Sequence, residues 1–222
     1  MSSFVKQMYT GCVPSSSPRR SPKPQERQRD PERTRQRILD AAAAEFGAHG
    51  YAGARVRAIA ARAGVNQQLV SYYFDGKKGL YQAMTQQWQQ RRAELAPPGT
   101  PMPEQLRRYA LEVLRDPEGV RMFAWSGLDY TGPDDDPDRA ARTQLLSTSV
   151  DELRALQRSG RLPAEVDPAC LLVMLMAATM ATTTLPHVIE SVCGTDPRSP
   201  EFVEHFADQA AVLARLIGLE PA

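Results

Sequence analysis

Residues 66–73, with the sequence N-Q-Q-L-V-S-Y-Y, carry side chains that suit hydrogen bonding to nucleic acid. Asn66 is a good N-cap, so a helix is predicted to begin there with its apolar residues packed inward. Glutamine can bind adenine through two hydrogen bonds, and hydroxyl groups bind phosphate oxygens. The segment therefore predicts a helix that presents base-reading and phosphate-binding groups on one face. That face consists of Gln67, Gln68, Ser71 and Tyr72.

Two apolar patterns precede this segment and would position it. The first runs over residues 38–46 at spacings of three and four, which predicts an amphipathic helix ended by Gly47 and Gly50. The second runs over residues 56–63 and is broken by Gly64. Three short helices with a glycine turn between the second and the third are the layout of a helix-turn-helix, which places its last helix in the major groove of DNA.

Residues 33–80 as a whole resemble the N-terminal DNA-binding domain of the TetR family of bacterial transcriptional repressors. The resemblance is specific, because many positions agree in order along the whole segment. One position departs from the family pattern, since Ala54 and Arg55 stand where a Ser or Thr usually caps the second helix and touches phosphate. This change is expected to weaken the cap by about 1 kcal/mol, and Arg55 is a candidate to supply the phosphate contact instead. The resemblance rests on Ile38, Leu39, Ala42, Phe46, Gly50, Tyr51, Val56, Ile59, Ala60, Ala63, Gly64, Val65, Tyr73, Phe74, Lys77 and Leu80.

The resemblance implies an all-α fold of about nine helices. It implies an N-terminal helix-turn-helix DNA-binding domain of three helices over residues 31–80, and a C-terminal helical ligand-binding and dimerisation domain over residues 81–222. The implied function is sequence-specific regulation of transcription by a homodimeric repressor, which a small apolar or amphipathic ligand releases from a palindromic operator in double-stranded DNA. A corepressor-dependent regulator and an activator of the same fold are the alternatives.

The predicted DNA contacts fall into two groups. Base reading is assigned to Gln67, Gln68 and Tyr72. Phosphate contacts are assigned to Arg55, Arg57, Ser71, Tyr73 and Lys77, with Asn66 at the start of the recognition helix.

Charge is unevenly distributed along the chain, although the net charge is only +1. Residues 1–80 hold 14 Lys and Arg against 6 Asp and Glu, whereas residues 81–222 hold 13 against 20. A basic front half indicates nucleic acid at that end. Residues 1–30 are rich in Ser, Pro, Arg and Gln, which predicts a disordered basic tail. This tail either adds nonspecific affinity for phosphates or is only a flexible extension.

Beyond the predicted DNA-binding domain, apolar residues recur at helical spacing and no alternating strand pattern of any length occurs. Helices are predicted at 77–95, 103–115, 117–130, 138–159, 168–192 and 199–218, with an acidic loop at 132–138. The last two helices carry apolar surfaces wider than a lone amphipathic helix needs. In the resembling family these two helices pair with their copies across a two-fold dimer interface; the alternative is monomer core. The expected interface residues are Leu172, Met176, Thr179, Thr183, Phe206, Leu213 and Ile217.

The resemblance also implies a small-molecule pocket in the C-terminal domain. Methionines and aromatic residues make adaptable apolar walls, although each of them alone is also typical of an ordinary core. Arg121 and His187 are candidate polar contacts. The candidate lining residues are Trp88, Met102, Met122, Phe123, Trp125, Tyr130, Met174 and Met180.

Motifs of other functional classes are missing from the sequence. There is no glycine-rich phosphate loop, no nucleophile elbow and no zinc-protease motif. Cys12, Cys170 and Cys193 show no paired spacing, and the acidic run at 134–136 is typical of a solvated loop. The N-terminus lacks the apolar core of a signal peptide, and the apolar part of residues 168–189 is too short to span a bilayer. We expect a cytoplasmic DNA-binding protein with no enzymatic activity, cofactor, metal or membrane contact.

Overall fold

A computed structural model describes residues 24–133 and 139–220, and this part of the chain contains eleven α-helices and no strand. The all-α prediction is confirmed. None of the helices in the described ranges is long and apolar enough to cross a membrane. The helices are α1 Pro24–Gly53, α2 Val56–Ala63, α3 Gln67–Phe74, α4 Gly76–Leu95, α5 Met102–Arg115, α6 Pro117–Leu128, α7 Arg139–Arg158, α8 Pro168–Thr179, α9 Ala181–Thr184, α10 Pro186–Cys193 and α11 Pro200–Leu216.

The first three helices and the start of α4 form a small domain, called the head below, around one apolar core. Each of these helices contributes at least one fully buried side chain, and each such burial contributes roughly 1.5–3 kcal/mol. Apolar residues at spacings of three and four therefore bring the helices together as the sequence predicts. The largest of these buried side chains are Ile38, Leu39, Phe46, Ile59, Val70 and Leu80.

The turn between α2 and α3 is fixed at both of its ends. Gly64 ends α2 with φ 66°, a left-handed conformation that glycine adopts at little cost. Asn66 then caps α3, because its Oδ1 accepts the backbone N–H of Leu69 at 2.8 Å. Together the two caps fix the angle at which α3 leaves α2, and thereby the direction of its exposed face.

The remaining helices form the body, whose core lies between α5, α7, α8 and α11. Leu106, Leu153, Leu172 and Ala214 are buried at its centre. The helix α4 links this body to the head, since it begins directly after α3 and also contacts α5. A tilt of α4 would therefore move the recognition helix relative to the body.

The predicted helix at 168–192 is wrong as one element, because the structure divides it into α8, α9 and α10. The second break follows from Pro186, which has no N–H and disfavours helical geometry at the preceding residue. Leu185 accordingly has φ −125° and ψ 38°. This division explains why eleven helices are found where about nine were expected.

The start of α1 also differs from the prediction. The helix begins at Pro24, so Pro31, the first residue of the predicted DNA-binding domain, lies within it. Residues 24–30 of the predicted tail thus belong to α1, and residues 1–23, with Cys12, lie outside the described residues, as do Asp134, Asp135 and Asp136 of the acidic loop. The tail and the domain boundaries stay predictions.

Candidate nucleic-acid interface and ligand cavity

The outer face of α3 carries the polar side chains that the sequence analysis assigned to base and phosphate contacts. Gln67, Gln68, Ser71 and Tyr72 are all exposed, and Tyr72 is 81% exposed. On the opposite side of the helix, Val70 is fully buried in the head. The core thus holds α3 by one face and presents donors, acceptors and an aromatic ring on the other.

Two other predicted contact residues on α3 also have structural roles. The Asn66 side chain is exposed but already accepts the Leu69 N–H as a helix cap. Tyr73 is half-buried and packs against the head core, with its ring centroid 5.4 Å from that of Tyr72. Their assignment to DNA stays a prediction, and loss of either side chain would also disturb the placement of the helix.

The N-terminus of α2 is capped by a residue that the sequence analysis did not identify. Arg55 occupies the N-cap position, and its own side chain makes no capping hydrogen bond. Instead the buried carboxylate of Glu45 accepts the Arg55 backbone N–H at 3.1 Å. A carboxylate at a helix N-terminus is favourable, so α1 replaces the hydroxyl cap that this chain lacks. Arg55 and Arg57 are exposed next to this cap.

Lys77 lies at the start of α4, where phosphate contact was predicted. Its Nζ donates a hydrogen bond to the carbonyl oxygen of Ala52 at 3.3 Å and lies 4.8 Å from the centroid of the Tyr51 ring. These contacts join the end of α1 to the start of α4. A phosphate contact by Lys77 stays a prediction, and it would have to be added to these contacts or replace them.

A large cavity lies in the body, between α4, α6 and the segment from α8 to α10. Its volume is about 2110 Å³, more than the roughly 300–1,000 Å³ of a typical small-molecule site. There is accordingly room for a sizeable ligand. Six of the predicted lining residues surround it: Trp88, Met122, Phe123, Trp125, Tyr130 and Met180.

Three predicted polar and apolar lining residues lie elsewhere. Met102 is buried in the body core, because it lies in the first turn of α5 facing Leu106. Met174 is 66% exposed on the outer side of α8. His187 is exposed on α10 and does not line the cavity, whereas Arg121 does.

Several polar atoms at the cavity have no hydrogen-bond partner among the described residues. They are the indole Nε1 of Trp88 and the hydroxyl oxygens of Thr182 and Thr183, and all three atoms are buried. A buried polar group without a partner costs about 1–3 kcal/mol, so such atoms indicate where a bound molecule would gain most. The sequence analysis missed both threonines, and the only signal was a run of three threonines within an otherwise apolar segment.

Two models of known protein families match the sequence of this chain. The family model described as "Bacterial regulatory proteins, tetR family" matches residues 38–84, and the model described as "Tetracyclin repressor-like, C-terminal domain" matches residues 101–211. The chain belongs to the TetR family. It is therefore a transcriptional regulator that binds DNA through its helix-turn-helix, as the sequence predicted.

Relatives cover most of the length of this TetR-family chain. The HTH-type transcriptional repressor SCO4008 of Streptomyces coelicolor is 31% identical over 170 residues, which cover 75% of this chain and 86% of the relative. The HTH-type transcriptional regulator RutR of Escherichia coli K12 is 32% identical over 186 residues, which cover 74% of this chain and 81% of RutR. The solved structure of SCO4942 from Streptomyces coelicolor has a TM-score of 0.67 at 26% identity and covers 85% of this chain and 99% of that one.

The residues predicted for the dimer interface occupy different places in the TetR-family body, and the interface itself stays a prediction. Leu172 is buried in the body core, and Thr183 lines the cavity. Leu213 is 51% exposed, and Met176, Thr179, Phe206 and Ile217 are half-buried. On α8 and α11, the large apolar side chains that are exposed and that the prediction omitted are Val173, Met174 and Leu216.

Proposed function

We propose that this TetR-family regulator is a homodimeric repressor that binds a palindromic operator and is released when a small molecule enters the body cavity. The observation that carries this proposal is that the cavity walls are the helices that hold the head. Residues of α4 and α6 line the cavity, α4 continues from the recognition helix, and α6 packs against α1. A ligand that displaces either wall would therefore move the head.

The dimer is supported by the outer face of α8. This helix, P-A-C-L-L-V-M-L-M-A-A-T, is apolar on all sides, and a helix of that kind needs burial all round. The body buries only one side, which includes Leu172 and Leu175, while Val173 and Met174 stay 66% exposed. Leu213 and Leu216 add exposed apolar surface on α11, which contacts α8. We infer that a second copy of the chain covers both faces, as a two-fold dimer requires.

The two-fold dimer would present two recognition helices to successive major grooves about 34 Å apart. Gln67, Gln68 and Tyr72 would then read base edges while Arg55, Arg57 and Ser71 hold phosphates. An effector would release the DNA if it bound more tightly to a dimer whose recognition helices are spaced differently from those on the operator. The ratio of its affinities for the two states sets how far it can weaken DNA binding. Repression, as opposed to activation, is supported by the name of the relative SCO4008, a transcriptional repressor. The alternatives are a corepressor-dependent regulator and an activator.

We infer further that the protein acts by binding and not by catalysis, and that it works in the cytoplasm, where operator DNA is found. The support is that its relatives are named as transcriptional regulators and repressors.

Selection from random DNA duplexes tests this proposal. The purified protein is mixed with the pool at near-physiological salt, and the retained duplexes are sequenced. We expect enrichment of an inverted repeat whose half-sites are one helical turn or a multiple of it apart. Retention without an enriched motif, or enrichment of a single unrepeated half-site, would contradict a sequence-specific dimer. A duplex retained only with an added small molecule would support the corepressor alternative.

A further inference from the structure

One face of α4 forms a wall of the cavity. Thr85, Trp88, Gln89 and Arg92 all line it, and their spacing of three and four residues places them along one side of the helix. Trp88 and Arg92 are one turn apart, so their Cβ atoms are about 5–6 Å from each other. The two side chains therefore leave the same face of α4, one turn apart, and both line the cavity.

Both of these neighbouring groups only donate hydrogen bonds. The buried Nε1–H of Trp88 has no acceptor among the described residues. Arg92 is half-buried and forms no ion pair in the described part of the chain, and its guanidinium carbon lies 5.5 Å from the Tyr109 ring centroid. Because neither side chain can accept, two of them side by side cannot satisfy each other. The Trp88 indole therefore lacks an acceptor among the described residues, and a molecule with acceptor atoms in the cavity would supply one to it and to Arg92.

Basic side chains also outnumber acidic ones among the described residues that line the cavity. Leaving aside Arg142, which has an interaction partner, the described lining residues include the basic side chains Lys78, Arg92, Arg121 and Arg198 and the acidic side chains Glu118 and Asp129. The body as a whole is acidic, with 13 basic against 20 acidic residues over 81–222. The described part of the cavity lining thus carries more positive than negative charge, which attracts anions from solution and repels cations.

Apolar side chains also line the cavity next to α4. Phe123 lies against Trp88 with ring centroids 6.3 Å apart, and Met180 lines the same space. Thr182, which is 4% exposed, brings a further unpartnered hydroxyl to the lining. An apolar wall next to a cluster of donors fits a molecule with an apolar body and an acidic head.

We propose that the effector is an amphipathic organic anion whose acidic group is bound by Trp88 Nε1 and the guanidinium of Arg92, with its apolar body against Phe123 and Met180. This inference rests on the proposed function, since it assigns the chemistry of the effector at the same cavity. A carboxylate, a sulfonate and a phosphate ester share the required acceptor oxygens and charge. The acidic group would be held on α4, the helix that begins at Gly76, directly after the recognition helix.

Two fluorescent probes with the same aromatic body separate charge from apolar fit. They are 1-anilinonaphthalene-8-sulfonate, an anion, and N-phenyl-1-naphthylamine, which lacks the sulfonate. Both tryptophans of the chain, Trp88 and Trp125, line the cavity, so energy transfer from tryptophan to the probe reports binding there. We expect the sulfonate to bind at least about tenfold more tightly than the neutral probe, because hydrogen bonds to a charged group are stronger than those between neutral groups. Equal affinity, or tighter binding of the neutral probe, would overturn the proposal.

Substitutions on α4 locate the anion. Arg92→Ala is expected to weaken the sulfonate about tenfold and to leave the neutral probe unchanged, and Arg92→Lys is expected to recover part of the loss. Trp88→Phe keeps an aromatic ring but removes Nε1–H, and should weaken only the sulfonate. Arg158→Ala, at an exposed position of α7 away from the cavity, is the matched control. A parallel loss of both probes in Arg92→Ala, or no loss of either, would overturn the proposal.

Release of operator DNA separates an anionic effector from the repressor mechanism as a whole. Decanoate and decanol are added to the protein bound to its selected duplex, and release of DNA is followed by fluorescence anisotropy. Release by decanoate and not by decanol supports the anionic effector, whereas equal release by both overturns it and leaves the repressor mechanism standing. A protein that selects no duplex at all would contradict the proposed function, independently of which probe binds.

Discussion

The guanidinium of Arg121, on α6, donates a hydrogen bond from Nε to the backbone carbonyl oxygen of Gly47, on α1, at 3.1 Å. Arg121 lines the cavity, and Gly47 belongs to α1, which contributes more buried residues to the head core than any other helix. The two helices approach closely at this point, because a Cβ atom on Gly47 would lie 3.1 Å from the carbonyl oxygen of Glu118. The cavity wall is therefore joined to the head directly as well as through α4.

Removing this hydrogen bond should loosen the junction between head and body. Arg121→Ala is expected to lower the free energy of unfolding by about 1 kcal/mol, since Arg121 is largely exposed and its bond to a carbonyl is partly replaced by water. Urea unfolding followed by circular dichroism measures the change. Arg158→Ala, also an exposed arginine, should change it by no more than about 0.5 kcal/mol. Equal effects of the two substitutions would show that the junction does not depend on Arg121.

Gly50 forms the kink at the end of α1 and is expected to tolerate no side chain. Its φ is 65° and its ψ is −178°, a region that is open almost only to glycine. A Cβ atom there would also lie 2.9 Å from Asp129 Oδ2 and 3.1 Å from the Trp125 ring. We expect Gly50→Ala to cost about 2 kcal/mol or more.

Gly127 on α6 supplies the matched control for that substitution. It has no heavy atom within 4 Å of an added Cβ and lies within a helix. Gly127→Ala should therefore stabilise the protein by up to about 1 kcal/mol. Thermal unfolding of the two variants compares them, and a Gly50→Ala protein as stable as the parent would refute the strained kink.

Arg91 of α4 and Glu112 of α5 form an ion pair that joins the C-terminal half of α4 to the body. Glu112 is 1% exposed, and its carboxylate raises the pKa of the Arg91 guanidinium above its ordinary value. Arg91→Ala would leave a buried carboxylate without its partner. The expected loss is about 2–3 kcal/mol, less than for a fully buried pair because Arg91 is 39% exposed.

A second substitution separates the buried charge from lost packing of the Arg91 side chain. Glu112→Gln removes the charge but keeps the shape, so the double variant Arg91→Ala with Glu112→Gln should be more stable than Arg91→Ala alone. Equilibrium urea unfolding of the two singles and the double gives the coupling. Additive losses would mean that the two side chains do not interact in solution.

The proposed dimer depends on apolar residues that a single protomer leaves exposed. Val173→Asp places a charge on the outer face of α8, where it would be desolvated by a second copy, and should weaken the dimer by about 2 kcal/mol or more. Sedimentation equilibrium measures the dissociation constant, and circular dichroism should show unchanged helix content. Ala155→Asp, on an exposed position of α7, is the control. A Val173→Asp protein that dimerises as the parent does would move the interface elsewhere.

The sequence predicted the head more completely than the body, and the reason is physical. The head core joins residues that lie close together in the sequence, namely Ile38 to Phe46, Ile59 and Val70. The turn is marked by local backbone chemistry at Gly64 and Asn66. The Glu45 cap of α2 was missed because it joins residues ten positions apart across a helix kink.

The body depends on contacts between distant segments, which local patterns do not specify. Met102 and Met174 have the composition of cavity residues, yet one lies in the core and the other on the surface, since the orientation of a helix decides which side faces a cavity. In the α8–α10 segment, apolar composition continues across Met180 and Leu185, so only Pro186 signalled a break.

We propose that the exposed face of α3 reads DNA, and substitution of Gln68 is the most direct test of this role. Affinities of the parent protein and of Gln68→Ala are measured for the selected operator and for a panel with each base pair changed in turn, at one salt concentration. We expect the parent to lose about 1–3 kcal/mol at one base step in each half-site, and Gln68→Ala to lose its discrimination at that step while it keeps discrimination at the others. A Gln68→Ala protein with the affinity and the base preferences of the parent at every position would contradict this role of α3.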